Sequence, residues 1–160
     1  MATRRRKASK GRSAKRSTAK KKPASRARKT ARAAAPRSSD AVRTLARRIV
    51  ALTTANDDEA TLALYAADVE STEQGQPPMH GLDSIRQKFA GWRNMVSEAH
   101  FEPRRVCVDG NTIVIEWVGS VTLAASGKQA QLHEVAIHEI KNGKIAREAY
   151  FYDPAALRPD

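Results

Sequence analysis

The chain contains a single cysteine, Cys107, among its 160 residues. An internal disulfide needs two cysteines and a cysteine-based metal cluster needs several, so the sequence excludes both. No apolar run approaches the roughly 18 residues that a membrane-spanning helix requires, and the N-terminus lacks the apolar core of a secretory signal. We therefore expect a soluble, cytoplasmic protein that has no membrane partner.

Acidic residues are absent from the first 38 positions, where sixteen of the 29 Lys and Arg residues lie. The rest of the chain holds thirteen basic and all 17 acidic residues, so the net charge of +12 combines a tail of +16 with a body of about −4. Between residues 3 and 37 the tail also lacks aromatic and branched aliphatic side chains, which leaves it nothing to bury. We expect residues 1–38 to be disordered in isolation.

The basic residues of this tail form clusters separated by Ala, Ser and Pro, a composition that resembles the tails of linker histones and bacterial histone-like proteins. Each side chain that neutralises a phosphate releases a condensed counterion, which gives strong, salt-sensitive and sequence-indifferent binding. The tail therefore predicts non-specific nucleic-acid binding, and association with the nucleoid if the protein is bacterial. A localisation role on an anionic surface and a merely solvated extension are the alternatives. The predicted contact residues are Arg4, Arg5, Arg6, Lys7, Lys20, Lys21, Lys22, Arg26, Arg28 and Lys29.

The apolar periodicity of a folded domain begins after the tail and predicts a domain over residues 39–157, with 158–160 as a C-terminal end. Leu45 and Ile49 belong to an apolar stripe at helical spacing that follows two good N-cap residues. This pattern predicts a first helix over residues 40–55.

Two further helices are predicted before any long strand. A second helix should start after Asp57, include Tyr65 and end near Asp68. A short strand and a loop rich in Gly and Pro should follow, and a third helix is predicted over residues 82–96.

After the third helix the apolar pattern changes to the period of two that is typical of strands. Short turns containing Gly join the runs, which predicts an antiparallel meander. Helices that precede such a sheet indicate an α+β fold in which three N-terminal helices cover one face of a strongly curved sheet, giving a cone with a cavity. The predicted strands are residues 101–108, 112–124, 129–140 and 145–152.

Several short segments together resemble the SnoaL-like branch of the nuclear transport factor two-like superfamily. They are Leu-Tyr-Ala-Ala-Asp at 64–68, His-Gly-Leu at 80–82, Val-Ile-Glu-Trp at 114–117, Asn-Gly-Lys-Ile at 142–145 and Tyr-Phe-Tyr-Asp at 150–153. The resemblance implies a cone-shaped α+β barrel that often forms a homodimer through its sheet. Members of this superfamily include polyketide cyclases, ketosteroid isomerase and many non-catalytic binding domains.

Glu73 is the first candidate for proton transfer, because it is similar in position to the carboxylate base of ketosteroid isomerase. Partial burial raises the pKa of a carboxylate and suits it to remove a proton beside a carbonyl. The tyrosine that binds the oxyanion in that relative corresponds here to Ile49, so the donor set is incomplete. A solvated loop acid is the alternative role for Glu73.

The register of the last hairpin decides which side chains of its first strand face the cavity. A three-residue loop with a glycine bulge at 141–143 places Glu134 and His138 on one face with Tyr150, whereas a two-residue turn places His133 there instead. We favour the first arrangement.

In this arrangement His138 lies beside Glu134 or Tyr150 and would form an acid-base pair, since a neighbouring carboxylate raises a histidine pKa. A hydrogen-bonded core histidine is the alternative. Aromatic side chains with a few polar groups suit a flat, partly apolar ligand. The predicted catalytic residues are Glu73, Glu134 and His138, and the predicted pocket residues are Trp92, Trp117, Tyr150 and Tyr152.

The leading hypothesis is a domain that binds a small apolar or aromatic ligand, or a partner chain, and carries a nucleic-acid-binding tail. The alternative is an enzyme of the cyclase, isomerase or dehydratase type. We expect no metal, because His133 and His138 should face opposite sides of a strand, and no nucleotide cofactor, because phosphate-binding fingerprints are absent.

Overall fold

The computed structural model describes residues 38–158, which comprise three α-helices, six β-strands and a short 3-10 helix. The basic residues predicted to bind nucleic acid, from Arg4 to Lys29, lie outside the described residues. The helices are α1 (Ser38–Thr54), α2 (Asp58–Leu62) and α3 (Leu82–Met95). The strands are β1 (Tyr65–Glu73), β2 (Met79–His80), β3 (Val96–Asp109), β4 (Thr112–Leu123), β5 (Gln129–Lys141) and β6 (Lys144–Tyr152), and the 3-10 helix is Pro154–Leu157.

The first two helices form where the apolar spacing and the capping residues predict them. In α1, Leu45 and Ile49 are buried on one side, as the stripe requires. The Asp57 carboxylate caps α2 by accepting a hydrogen bond from the Ala60 amide at 3.0 Å. No helix among the described residues is long and apolar enough to cross a membrane.

The end of α2 corrects the sequence prediction. This helix ends at Leu62 and β1 begins at Tyr65, so the segment from Tyr65 to Asp68 is a strand and not the last turn of a helix. The Ile145 amide donates a hydrogen bond to the Leu64 carbonyl at 2.9 Å, and Tyr65 pairs with Ile145 in β6. Pairing with a strand eighty residues away therefore overrides the local helical pattern.

The sheet is mixed, which corrects the expectation of an antiparallel sheet. Its strand order is β2-β1-β6-β5-β4-β3, and β1 runs parallel to β6 while the other neighbours are antiparallel. The curved sheet is open, with β2 and β3 at its edges. Pro103 lies in the edge strand β3 next to a register shift, where a residue without an amide hydrogen is tolerated.

The last hairpin has the predicted faces but not the predicted turn. Asn142 and Gly143 both have positive φ angles, and Lys141 pairs with Lys144, so the turn has two residues. A register shift one pair further along leaves Ala146 as an extra residue in β6. This bulge restores the favoured register, in which Glu134 pairs with Tyr152.

The main apolar core lies between the helices and one face of the sheet. Helix α1 contributes Leu45 and Ile49, α3 contributes Ile85, and β4 contributes Ile113 and Ile115. The opposite face of β5 and β6 carries exposed residues such as Val135 and Phe151. The inner face therefore places its side chains beneath the helices, where the chain also encloses a cavity.

Candidate ligand-binding site

A cavity of about 450 Å³ lies between the helices and the inner face of the sheet. Its volume falls within the range of roughly 300 to 1,000 Å³ that is typical of ligand pockets in proteins. Most of the lining is apolar and aromatic, and includes Ile49, Leu52, Phe89, Trp92, Phe101 and Leu132. Tyr65, Glu73, Lys88, Glu134, Tyr150 and Tyr152 add polar groups to the same cavity.

The carboxylate of Glu148 in β6 is fully buried behind the cavity lining, where it contacts several of these polar groups. Its side chain is 0% exposed and pairs with the Lys88 ammonium at 2.9 Å. The Tyr65 and Tyr150 hydroxyls donate hydrogen bonds to Oε2 at 2.6 and 3.2 Å, and the Ser71 hydroxyl donates to Oε1 at 2.7 Å. Four donors therefore satisfy a charge that burial would otherwise make very costly.

The contacts of Glu148 fix its charge and that of its neighbours. Burial alone would raise the pKa of Glu148, but Lys88 first, and then His138 and Tyr65, outweigh it and hold that pKa well below its usual range. Burial, followed by the Glu148 charge, raises the pKa of both Tyr65 and Tyr150. Glu148 is thus an anion at neutral pH, and the two phenols remain protonated donors.

Lys88, on α3, connects Glu148 to the cavity. Its ammonium lies 3.1 Å from Oε1 of Glu73 and donates a hydrogen bond to the Ser71 hydroxyl at 3.2 Å. It also lies 3.9 Å from the centre of the Tyr150 ring, at cation–π distance. One lysine is therefore shared by two carboxylates and held on one ring face.

Glu73 lies at the end of β1 and not in a loop, as its solvated alternative supposed. Its carboxylate accepts a hydrogen bond from the Tyr152 hydroxyl at 2.9 Å in addition to the Lys88 ion pair. Burial, and then this hydrogen bond, raise the pKa of Tyr152. Both carboxylate oxygens of Glu73 therefore already have partners, Oε1 in Lys88 and Oε2 in Tyr152.

Among the described residues, Glu134 differs from Glu73 and Glu148 in having no partner for its carboxyl. Within residues 38–158 its carboxyl forms no hydrogen bond or ion pair, although it lines the cavity. Burial is the main reason that its pKa is raised to about 7; Lys88 opposes this rise, while Glu73 and Glu148 add to it. Glu134 is therefore a free acid or base, half ionised near neutral pH, at the polar end of an apolar cavity.

His138 and His133 face opposite sides of β5, as the register predicts. His138 is buried and His133 is exposed. The Nδ1 atom of His138 has no hydrogen-bond partner among the described residues and lies 3.6 Å from Oε2 of Glu148, which is a close electrostatic contact but too long for a hydrogen bond. Its ring packs edge-to-face against Tyr150, so His138 supports the cavity wall without lining the cavity.

The predicted aromatic residues divide between the cavity and the core. Trp92, Tyr150 and Tyr152 line the cavity, whereas Trp117 belongs to the core beneath it. The Trp117 ring packs edge-to-face against Phe101, with a centroid separation of 6.4 Å. Its packing fixes the position of Phe101, which does line the cavity.

Sequence reasoning missed Lys88 and the central position of Glu148. A signal for Lys88 was present, because it lies three residues after the buried Ile85 and four before Trp92, on the apolar face of α3. A lysine within an apolar stripe needs a buried anion. The favoured register also puts Glu148 on the inner face, opposite His138, but nothing local shows that it meets a helix sixty residues earlier.

No group of three or more His, Cys, Asp or Glu residues within the described part of the chain could hold a metal ion. Comparison with curated protein sequences gives no significant match. A family model, described as a SnoaL-like domain, matches residues 46–148, which is more than half of the chain.

Solved structures share the same fold. A nuclear transport factor two-like protein of unknown function from Burkholderia pseudomallei is 21% identical, with a TM-score of 0.66 over 72% of this chain and 92% of that one. A protein from Jannaschia, provisionally named a SnoaL-like polyketide cyclase, has a TM-score of 0.68 at 13% identity, covering 79% and 98% of the two chains. A similarly named protein from Mesorhizobium loti is 26% identical, with a TM-score of 0.60 over 69% and 98%.

Proposed function

The chain belongs to the SnoaL-like domain family, and from that premise we propose that its cavity binds a small, largely apolar molecule whose polar group meets Glu134. The observation that carries the proposal is the Glu134 carboxyl, which lines a mostly apolar cavity and has no partner among residues 38–158. Specific pockets combine an apolar lining with a few placed polar groups in this way.

The arrangement of the other polar groups supports this role for Glu134. Lys88, Glu73 and Tyr152 already satisfy one another by contacts of 2.9 to 3.1 Å. A ligand would not need to break these contacts, because Glu134 is available without rearrangement. A preformed site of this kind binds with a smaller ordering cost than one assembled on contact.

Binding is tested with a neutral, polarity-sensitive naphthalene dye, 6-propionyl-2-dimethylaminonaphthalene, titrated with the full chain. We expect a saturable blue shift in dye emission with one dye per chain. Replacing Leu52, which lines the cavity, by Trp should weaken binding at least tenfold, because the indole fills the space. Val106→Trp, on an exposed position of β3, is the matched control and should leave binding unchanged.

Circular dichroism melts show whether each variant folds. A dye that gives no saturable signal contradicts the proposal, and so does a folded Leu52→Trp variant that binds as tightly as the original chain. Loss of binding in the Val106 variant would place the dye on the sheet surface and overturn it as well.

A second candidate function is proton transfer, as in a cyclase, isomerase or dehydratase, and the pKa of about 7 at Glu134 favours it. A general base is most effective when its pKa lies near the working pH. The test uses the simple ketone 4-phenyl-2-butanone in deuterated buffer, with exchange of its α-hydrogens followed by NMR. Exchange above the buffer rate that follows a pKa near 7 and disappears in Glu134→Gln supports catalysis. Exchange at the buffer rate favours a binding function alone.

A third role, non-specific nucleic-acid binding, is proposed for residues 1–38 from their charge of +16 alone. The full chain should retard a DNA duplex of random sequence on a gel, with an affinity that falls steeply as salt increases. A chain that starts at residue 38 should lose this retardation while its melting transition changes little. Retained retardation, or an affinity that does not depend on salt, would exclude the tail as the binding element.

A further inference from the structure

We propose that the ligand of this cavity is an apolar organic amine, bound as its ammonium ion against the Glu134 carboxylate. The inference rests on the proposed ligand-binding function and adds the chemical class of the ligand. Three observations carry it: the balance of charges around the cavity, the absence of a partner for Glu134, and the aromatic rings beside it.

The first observation concerns charges that are already neutralised. Arg93 and Asp58, which both line the cavity, form a two-pronged pair with N–O distances of 2.7 Å for each prong. The contact raises the pKa of Arg93, chiefly through the hydrogen bonds that its guanidinium donates to Asp58. These two residues therefore cancel and offer no free charge to a ligand.

The remaining charges leave the polar end of the cavity negative. Among the described residues Lys88 is the one cation there, and it is shared between Glu73 and the buried Glu148 at 3.1 and 2.9 Å. One positive charge therefore faces two negative charges before Glu134 is counted. An ionised Glu134, whose side chain is half-buried, adds another negative charge.

This balance discriminates between ligand classes. A carboxylate or phosphate placed beside Glu134 would meet like charges, and Lys88, the only cation nearby in the part of the chain that the structure describes, is already paired with two carboxylates. A neutral hydroxyl would donate a single hydrogen bond. An ammonium would supply both a donor and the missing counter-charge, and hydrogen bonds between charged groups are roughly twice as strong as neutral ones.

The aromatic lining favours a cation further. The Lys88 ammonium already occupies one face of the Tyr150 ring. The rings of Trp92 and Tyr152 line the same cavity, and no cation lies over them among the described residues. A protonated amine with an apolar body would be attracted to these ring faces through its charge and would pack against the rest of the lining.

The pKa values of an alkylammonium and of Glu134 allow both groups to be charged at the same pH. An alkylammonium like that of lysine has a pKa of about 10.4, whereas the pKa of Glu134 is raised only to about 7. Between these values the amine keeps its proton and Glu134 is ionised. The groups that face Glu134 are Lys88 from α3, Glu73 from β1, and Glu148, Tyr150 and Tyr152 from β6. A bound ammonium would add a positive charge beside Glu134, and because it favours the ionised carboxylate it would lower the Glu134 pKa.

The test compares three probes with the same carbon skeleton by calorimetric titration at pH 8: 4-phenylbutylamine, 4-phenylbutanol and 4-phenylbutanoate. We expect the amine to bind about tenfold or more tightly than the alcohol, and the carboxylate to bind most weakly. Glu134→Gln should reduce the advantage of the amine over the alcohol to about threefold or less. Glu139→Gln, on the same strand but exposed to solvent, is the matched control and should preserve the advantage.

The outcomes separate this inference from the proposed function. Tighter binding of the alcohol or the carboxylate, or an amine advantage that survives in Glu134→Gln, overturns the amine assignment while ligand binding by the cavity stands. Failure of all three probes and of the neutral dye overturns both. The same titration at pH 5.5, where Glu134 is protonated, should give a smaller amine advantage, and an equal or larger one contradicts the inference.

Discussion

Replacing Glu134 by Gln should change how the stability of the protein depends on pH. In the folded chain, burial raises the pKa of Glu134 from 4.5 to about 7. An unfolded chain exposes this carboxyl to water, where its pKa is close to 4.5. Between these two values the folded state holds more protons than the unfolded state, so the free energy of unfolding must fall as pH rises.

The magnitude follows from the two pKa values. A difference of one pH unit corresponds to about 1.36 kcal/mol, so raising the Glu134 pKa to about 7 costs the original chain about 3 kcal/mol of stability above pH 7. Below pH 4.5 Glu134 is protonated in both states and this cost is absent; it grows between pH 4.5 and 7 and is complete above pH 7. Glu134→Gln has no such proton, so its stability relative to the original chain should increase by about 3 kcal/mol over this range.

Urea denaturation at half-unit intervals from pH 4.5 to 8, followed by circular dichroism, measures this difference. Glu139→Gln is the control, because the exposed Glu139 forms only a long surface contact with Arg147 at 3.7 Å. Its stability should run parallel to that of the original chain. Parallel curves for Glu134→Gln as well would refute the reasoning, because they would mean that the Glu134 carboxyl is solvated in the folded state.

Three other predictions test separate parts of the structure. Lys88→Met should lower the free energy of unfolding by about 3 to 5 kcal/mol at pH 7, because Glu148 loses its buried counter-charge; a urea midpoint close to that of the original chain would contradict this. Gly119→Ala should cost about 1 to 3 kcal/mol, because the new methyl carbon would lie 2.4 Å from the Phe101 ring, and calorimetric melting should show partial recovery when Phe101→Leu is added. Gly143→Ala should lower the free energy of unfolding by about 1 to 2 kcal/mol, because φ is +74° at this position. Gly91→Ala lies in an exposed part of α3 with open space around it and should raise the free energy of unfolding by up to about 1 kcal/mol. Equal melting temperatures for these two variants would contradict the assigned backbone conformations.

The sequence was sufficient to predict an α+β fold with a curved sheet and the inner faces of the last two strands. Period-two apolar patterns and turns containing Gly are local signals, and they place Glu134 and His138 on the inner face as the structure has them. The reason given for that register was wrong, because the turn has two residues and the bulge lies at Ala146. Inward burial of the apolar residues selected the register, and the chain adopted a bulge that allows it.

The segment that begins at Tyr65 shows where local reasoning fails. Leu-Tyr-Ala-Ala-Asp is a good helical sequence, yet it forms the start of β1 because it pairs with β6 at Ile145. The parallel pairing also makes the sheet mixed. Contacts between residues so distant in sequence leave no local pattern from which they could be predicted.

The candidate site likewise combines residues that local sequence patterns predict with contacts that they do not predict. Periodicity and the favoured register predicted Glu134 and the aromatic residues Trp92, Tyr150 and Tyr152 for the cavity, and all four line it, whereas Trp117, predicted with them, lies in the core. The network around Glu148 joins α3, β1 and β6, so its charges and pKa values depend on the folded arrangement. Nucleic-acid binding by the tail and formation of a homodimer stay predictions.

The central claim is that Glu134 is a half-buried carboxyl with no partner among residues 38–158, at the polar end of a ligand cavity. An NMR titration of the side-chain carboxyl carbon, assigned by the signal that disappears in Glu134→Gln, tests it most directly. We predict a pKa of about 7 for this group in the free protein. A value near 4.5, typical of a solvated glutamate, would contradict the claim.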